Sequence, residues 1–333
     1  MADSDTLASA ARLSVAPMMD WTDRHCRAFH RALSRHALLY TEMVTAPAIL
    51  HGDRDRLLGP PPDARTALQL GGSDPAELAQ AARIGAAFGY REVNLNCGCP
   101  SDRVQSGCFG AVLMRQPALV ADCVRAMQDA ADAEITVKCR LGVDDQDPEE
   151  ALPRFLEAIA RAGVRRVIIH ARKAWLQGLS PRENREVPPL DYPLARRMKD
   201  RFSALHLSLN GGLQDLDAVR AALAQGFDGA MVGRAAYHRP WDILGAADHL
   251  WAEAPPHAAP EEAARAMLPY LEAHCAAGGR LHQVTRHMLG LFAGRPGARI
   301  WRRLLSEQAH RPAAGPELVE AALAAMEAER AAA

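Results

Sequence analysis

Short apolar runs recur through the first two thirds of the chain, each ending in glycine or a polar residue. They are LSVAPM (13–18), LLYTEM (38–43), TALQLGG (66–72), EVNLNCG (92–98), ITVKCR (135–140), RVIIHAR (166–172), HLSLNGG (206–212) and GAMVGR (229–234). Most of the intervals between them have helical character. DPAELAQAARIGAAFG (74–89) starts with Asp74 as N-cap and Pro75 at the first helical position, and stops at Gly89. ALVADCVRAMQDA (118–130) and LDAVRAALAQG (216–226) are of the same kind. Apolar runs of this length alternating with helices read as parallel strands buried on both faces. Eight of them within about 235 residues match a (β/α)8 barrel of the TIM type in count and size. A doubly wound open sheet has the same periodicity and is the alternative, because periodicity does not show closure.

After Pro240 the pattern changes. WAEAPPHAAPEEA (251–263) is rich in proline and alanine and reads as a linker or helix entry, and only helical patterns follow. The expected organisation is a barrel domain over 1–245 followed by a small all-helical C-terminal domain over 246–333.

Composition adds limits. The 333 residues are 49% hydrophobic and 24% charged, as in a soluble globular protein, and the net charge of -1 gives no global attraction to nucleic acid or membrane. No apolar run approaches the ~20 residues of a membrane span. The start, MADSDTLASAARL, lacks the basic end and apolar core of a signal peptide, so a cytoplasmic location is expected. Seven cysteines, an odd number in a long chain, suit free thiols in a reducing compartment.

Cys97 and Cys99 stand in NLNCGCPSDRVQSG (94–107), a polar loop with nothing to pack a core. Zinc ligation, a redox pair, a nucleophile and a proton donor are all open to them on composition. The C-x(2–4)-C spacing and a second paired motif are both absent, so no metal site is expected.

In a barrel of this type the reactive face is formed by the C-terminal ends of the strands. Those ends carry Pro17, Met18 and Met19, then Glu42, Gln69, Asn94 and Asn96, Lys138, His170, Asn210-Gly211-Gly212, and Gly233-Arg234. Strand ends hold polar residues as turn formers too, but here seven of the eight do. NGG after the seventh run and GR after the eighth put backbone amides where barrel proteins commonly hold a phosphate. Lys138 lies within an apolar run, and a buried lysine needs a partner or a ligand.

Basic residues also gather in two islands. One spans Arg161, Arg165, Arg166, Arg172, Lys173, Arg182 and Arg185 against Glu183; the other spans Arg280, Arg286, Arg295, Arg299, Arg302, Arg303 and Arg311 against Glu307. Each reads either as a solvated face or as a contact surface for a phosphate backbone. The all-arginine second island favours the latter. Arg299 and Arg302 share one helical face.

Taken together, VAPMMDWTDRHCR (15–27), LYTEMVTAPAILHG (39–52), LQLGGSDP (68–75), NLNCGCPSDRVQSGCFGAVLM (94–114), VKCRLGVDDQD (137–147), IIHARKAWLQGLSPRENREVPPLDYP (168–193), LNGG (209–212) and MVGRAAYHRPW (231–241) resemble the tRNA-dihydrouridine synthases. The segment from His170 to Pro193 and PGARIWRRLLS (296–306) resemble the A-type members, which act at positions 20 and 20a of the D-loop. The resemblance implies a monomeric FMN barrel with a helical RNA-binding domain, tRNA as partner and NADPH as transient reductant. It implies Pro17, Met18 and Met19 along the flavin, and Gln69, Lys138 and His170 at its ring or ribityl chain. Asn210, Gly211, Gly212, Gly233 and Arg234 would be at its phosphate end. Asn96, Arg182, Arg185, Arg299 and Arg302 would contact the tRNA, and Cys99, before Pro100, would be catalytic. Cys97 and Cys139 depart from the family pattern, each adding a thiol near the site.

The resemblance also implies a chemistry for Cys99. Reduced flavin delivers hydride to carbon 6 of uracil, and carbon 5 then needs a proton. An ordinary thiol, with a pKa of ~8.5, is mostly protonated near neutral pH and can supply it. Cys99 is therefore expected to be the general acid and Cys97 a spectator. Two other classes fit part of the pattern. An FMN-barrel oxidoreductase acting on a free pyrimidine or another small enone-like substrate needs neither arginine island, and an RNA-binding protein with a vestigial barrel does not need Cys99.

Overall fold

Strands form where the apolar runs stand: β1 (Leu13–Val15), β2 (Leu38–Thr45), β3 (Thr66–Gly71), β4 (Glu92–Cys97), β5 (Glu134–Cys139), β6 (Arg166–His170), β7 (His206–Asn210) and β8 (Gly229–Val232). They come from a computed structural model that describes residues 2–101 and 107–332. Each strand pairs in parallel with the next, and β8 pairs with β1 from Leu13 beside Ala230 to Val15 beside Val232. That last ladder closes the barrel, as expected, and excludes the open sheet.

The helices that return the chain begin on a repeated local device, an aspartate followed within two residues by proline. Asp74 accepts the amides of Ala76 and Glu77 ahead of Pro75–Ala87. Asp147 caps Pro148–Arg161 through the Glu149 amide, and Asp191 caps Tyr192–Arg201 through that of Leu194. Proline in the first turn has no N–H to leave unpaired, and each cap contributes about 1 kcal/mol. The faces these helices bury, such as Leu78, Ala81 and Ala82, cover the outside of the barrel.

Inside the barrel, several positions are polar. Glu92, Glu134 and Arg166 are the first residues of their strands and so form part of the barrel's N-terminal end. Arg166 donates through Nη2 to Glu92 at 2.7 Å and to Glu134 at 2.9 Å, with Arg166 and Glu92 fully buried. Burial alone would lower the Arg166 pKa; Glu92, then Tyr40 and Glu134, outweigh it and hold the charge. Burial, with Glu92 beside it, pushes the Tyr40 phenol well above its ordinary value, and its hydroxyl donates to Glu92 at 2.6 Å.

The chain divides into two compact units. The first contains the chain through Met19, Leu38–Leu213 and Asp217–Val232; the second contains Asp20–Ala37, Gln214–Leu216 and the chain from Gly233. The second is helical among the described residues and includes Arg24–Leu33, from between β1 and β2. Asp23 caps that helix on the amides of His25 and Cys26 and pairs with the buried His287 and with Arg286, which joins it to the C-terminal helices of the same unit. In Ala298–Gln308 the buried residues Ala298, Trp301 and Leu305 follow a 3,4 spacing, and Arg299, Arg302 and Arg303 stand exposed on the other side. Among the described residues no helix is long and apolar enough to cross a membrane.

Candidate active site

Asn96, next to last in β4, has a short side chain that can reach the backbone two and three residues on, as asparagine commonly does at turns. Its Oδ1 accepts the amides of Gly98 (3.1 Å) and Cys99 (3.0 Å), which sets the path of the cysteine loop. The Cys99 carbonyl accepts the Ala111 amide at 2.9 Å, so the loop is held on both sides, and its Sγ lies 3.4 Å from the Ser101 hydroxyl. Residues 102–106 of this motif lie outside the described residues.

Asn96 is itself held from within the barrel. Its Nδ2 donates to Gln69 Oε1, Gln69 Nε2 to Asn94 Oδ1, and Asn94 Nδ2 to Thr136 Oγ1, each at 2.8 Å. Thr136 then donates to Glu92 at 2.7 Å. All are buried, so this chain of hydrogen bonds runs through the barrel interior from the Arg166–Glu92 pair at its start to the backbone of Cys99. Because Asn94 and Asn96 bond to groups inside the barrel, strand alternation turns Cys97 outward, together with Cys139 beside it. Both thiols are fully buried; burial pushes Cys97 well above the usual thiol range and Cys139 up to about 12.

Lys138, on β5, donates to Asn210 Oδ1 at 3.0 Å, and Asn210 Nδ2 donates to the Met231 carbonyl at 2.7 Å. Part of the Lys138 side chain reaches solvent, but protein crowds round its ammonium. Burial, followed by the Arg140 guanidinium, draws it down to about 7. His170 is held well below its ordinary value first by burial, then by Arg140, Lys138, Arg172 and Arg185, so it is neutral at pH 7. The mouth of the barrel at β5 and β6 is strongly cationic. Gly211 and Gly212 follow with φ of +108° and +74°, and a Cβ on Gly211 would stand 2.7 Å from the His170 ring. Glycine is therefore needed there for both backbone and space, and the Tyr192 hydroxyl ties the Gly211 carbonyl at 2.5 Å.

The chain has three lysines, Lys138, Lys173 and Lys199, so NMR of the isotopically methylated protein can resolve each. In the cofactor-free protein Lys138 is expected to titrate near 7; a midpoint near 10.5 would show that its ammonium is not desolvated. The folded pKa lies below the unfolded one. The stability penalty of burying this ammonium is therefore full below about pH 7 and is relieved as the pH rises towards 10.5.

Arg140 is the residue that reading the motif passed over. It is 3% exposed at the end of β5. Its Nε donates to the Gly98 carbonyl at 3.1 Å, and its Nη1 to the carbonyls of Lys173 (3.2 Å) and Asn184 (2.9 Å). It thereby ties the loop of Cys99 to the loop after β6. Burial lowers it to about 9, which leaves it charged at neutral pH. In VKCRLG it looks like an ordinary basic strand end; only the carbonyls, 33 to 44 residues away in sequence, mark it out. Arg140→Met is expected to lower turnover roughly 10- to 100-fold by freeing the Cys99 loop, with Arg140→Lys recovering little because the fork is lost. Equal turnover in the unaltered protein and both variants would contradict this.

The remaining predicted residues are spread along the chain. Pro17 and Met18 are half-buried after β1, and Met19 is exposed. Gly233 and Arg234 open the helix Arg234–His238 in the second unit. Arg182 and Arg185 are exposed on the loop after β6, Arg182 lying 3.6 Å from Glu186. The first arginine island is not one surface: Arg166 is buried in the barrel and Arg161 pairs with Glu157 on its own helix. In the second island Arg286 is paired with Asp23 and Arg295 lies over the Trp241 ring.

A model of the dihydrouridine synthase (Dus) family matches residues 14–327. A tRNA-dihydrouridine(20/20a) synthase from Xanthomonas axonopodis pv. citri (strain 306) is 57% identical over 323 residues, 97% of this chain and 96% of that one. The Escherichia coli (strain K12) protein of the same description is 54% identical over 316 residues, 94% of this chain and 91% of that one. Among solved structures, a 2-naphthoyl-CoA reductase in complex with 2-naphthoyl-CoA shares the fold, with a TM-score of 0.53 at 12% identity over 69% of this chain and 49% of that one.

Proposed function

Since this chain belongs to the dihydrouridine synthase family, we propose that it reduces uridine to 5,6-dihydrouridine at positions 20 and 20a of tRNA, with bound FMN and with NADPH as reductant. The observation that carries the mechanism is the fixed Cys99 loop, set by Asn96 beside the cationic end of β5 and β6.

The residues present suit a flavin. Those that act most strongly on the His170 ring by charge are all cations, a setting for a group that gains negative charge on reduction. The two left-handed glycines present backbone where a side chain would block. Lys138 and His170 would face the ring, Gln69 would sit at its edge, and Gly211 and Gly212 would lie at the phosphate end. When bound, the flavin supplies the hydride that adds to carbon 6 of the uracil.

Cys99 donates the proton that completes the reaction at carbon 5, so hydride and proton together saturate the double bond. The thiolate left behind lies near Lys138 and Arg140, close enough for its charge to act on both, and is reprotonated from solvent. Lys138 also offers a donor to the uracil oxygen on which charge develops. The uridine must leave the folded tRNA to arrive there, at a cost of a few kcal/mol. Arg182 and Arg185 on the barrel loop, and separately Arg299 and Arg302 on the second unit, bind the RNA backbone.

The purified protein is expected to be yellow and to release FMN on denaturation. Reduced by NADPH without oxygen, it is expected to be reoxidised by unmodified tRNA transcript and not by free uridine. Reoxidation by free pyrimidine alone would move it to the small-molecule class.

A further inference from the structure

The loop after β6 contains a feature that hydride transfer and proton donation leave unused. Of the three large apolar side chains exposed among the described residues, Met19, Trp175 and Val187, two lie on this loop, and Trp175 is 42% exposed. An exposed indole on a loop is ordinarily mobile; this one has an immobile base. The buried Asn184 accepts the Trp175 amide at 2.7 Å and donates back to the Trp175 carbonyl at 2.8 Å. The Ala174 carbonyl accepts the Asp144 amide at 2.8 Å, and the Asp144 carboxylate accepts the Leu176 amide at 2.7 Å. The backbone on either side of the ring is thus clamped to the loop after β5, and the ring is left outside.

Charge indicates what the ring is for. The Lys173 ammonium lies over it, 5.4 Å from the ring centroid. Arg182 and Arg185 stand exposed on the same loop. An aromatic on a clamped backbone, with a cation over it and two more on its loop, suits a flat, electron-rich ring attached to a phosphate backbone. Stacking on such a platform costs little ordering and is tolerant of which base it meets. Arg140 holds the Lys173 and Asn184 carbonyls and the Gly98 carbonyl at once, which places this platform in register with the Cys99 loop.

We propose that Trp175 stacks on a nucleobase of the tRNA next to the uridine being reduced, using the ring face that Lys173 leaves free, and so holds the RNA while that uridine is extruded. The inference rests on tRNA being the substrate. Trp175 is a positioning residue: it binds the RNA and takes no part in the transfer of hydride or proton.

The test uses the full-length, flavin-loaded protein with an unmodified tRNA transcript. Trp175→Ala is expected to raise KM for tRNA in dihydrouridine formation roughly five- to hundredfold, with a smaller fall in kcat, and Trp175→Phe to recover part of the loss because a phenyl ring still stacks. The chain has five tryptophans. The difference in tRNA-induced fluorescence quenching between the unaltered protein and Trp175→Phe therefore isolates this ring, and the unaltered protein is expected to quench more. Equal quenching together with an unchanged KM for tRNA would overturn the proposal. A rise in KM for NADPH, with that for tRNA fixed, would overturn it and reassign the ring to the dinucleotide. Failure of the unaltered protein to modify tRNA would overturn the substrate reading itself, and that result is visible without any variant.

Discussion

Cys99→Ala is expected to slow dihydrouridine formation by about 10²- to 10⁴-fold, the usual contribution of a positioned general acid. The expectation follows from placement. The Cys99 backbone is fixed by Asn96 and Ala111, and its thiol is partly open on the reactive face. The two thiols nearest in the barrel wall cannot take over: Cys97 and Cys139 are fully buried and turned outward, and burial keeps both protonated but out of reach. Cys97→Ala is accordingly expected to keep the rate. The loss in Cys99→Ala should appear in single-turnover reoxidation of the reduced enzyme by tRNA, where the proton is needed. A Cys99→Ala enzyme as fast as the unaltered one, or a Cys97→Ala enzyme as slow as Cys99→Ala, would reject this assignment.

Arg166→Met is expected to have the largest effect on stability, a loss of roughly 3–5 kcal/mol, because it strands a buried carboxylate. Glu92 is 0% exposed and accepts from Arg166, Tyr40 and Thr136. Without the guanidinium its charge has only neutral donors. Thermal melting of Arg166→Met and of the double variant Arg166→Met/Glu92→Gln separates the two contributions. The double variant is expected to recover much of the loss, since both charges are gone. A double variant that melts no higher than the single one would show that the cost lies in packing rather than charge. The Glu92 end of the hydrogen-bonded chain leads to Asn96, so Arg166→Met is also expected to loosen the Cys99 loop.

The barrel was legible in the sequence because parallel strands are buried on both faces and therefore stand out as short apolar runs. The Asp-Pro starts of the helices were equally plain, being decided by three or four adjacent residues. The reactive residues at the strand ends were recognisable as polar side chains in apolar company. What joins them was not. Gln69, Asn94, Thr136 and Glu92 meet over separations of 25 to 44 residues, and nothing near any of them in sequence announces the partner. Arg166 looked like one more member of a basic island, but from the start of β6 it reaches Glu134 on the adjacent β5 and Glu92 on β4 beyond it. The helix Arg24–Leu33 groups with the C-terminal helices through Asp23, His287 and Arg286, a pairing that spans more than 260 residues and has no local signature.

The central claim is the reduction of a tRNA uridine, and its most direct test is the position of the product. Unmodified tRNA transcript is incubated with the flavin-loaded protein and NADPH, and dihydrouridine is mapped base by base. The account predicts dihydrouridine at position 20, and at 20a where that base is uridine, with none elsewhere in the D-loop. NADPH consumption with no dihydrouridine at those positions would contradict it.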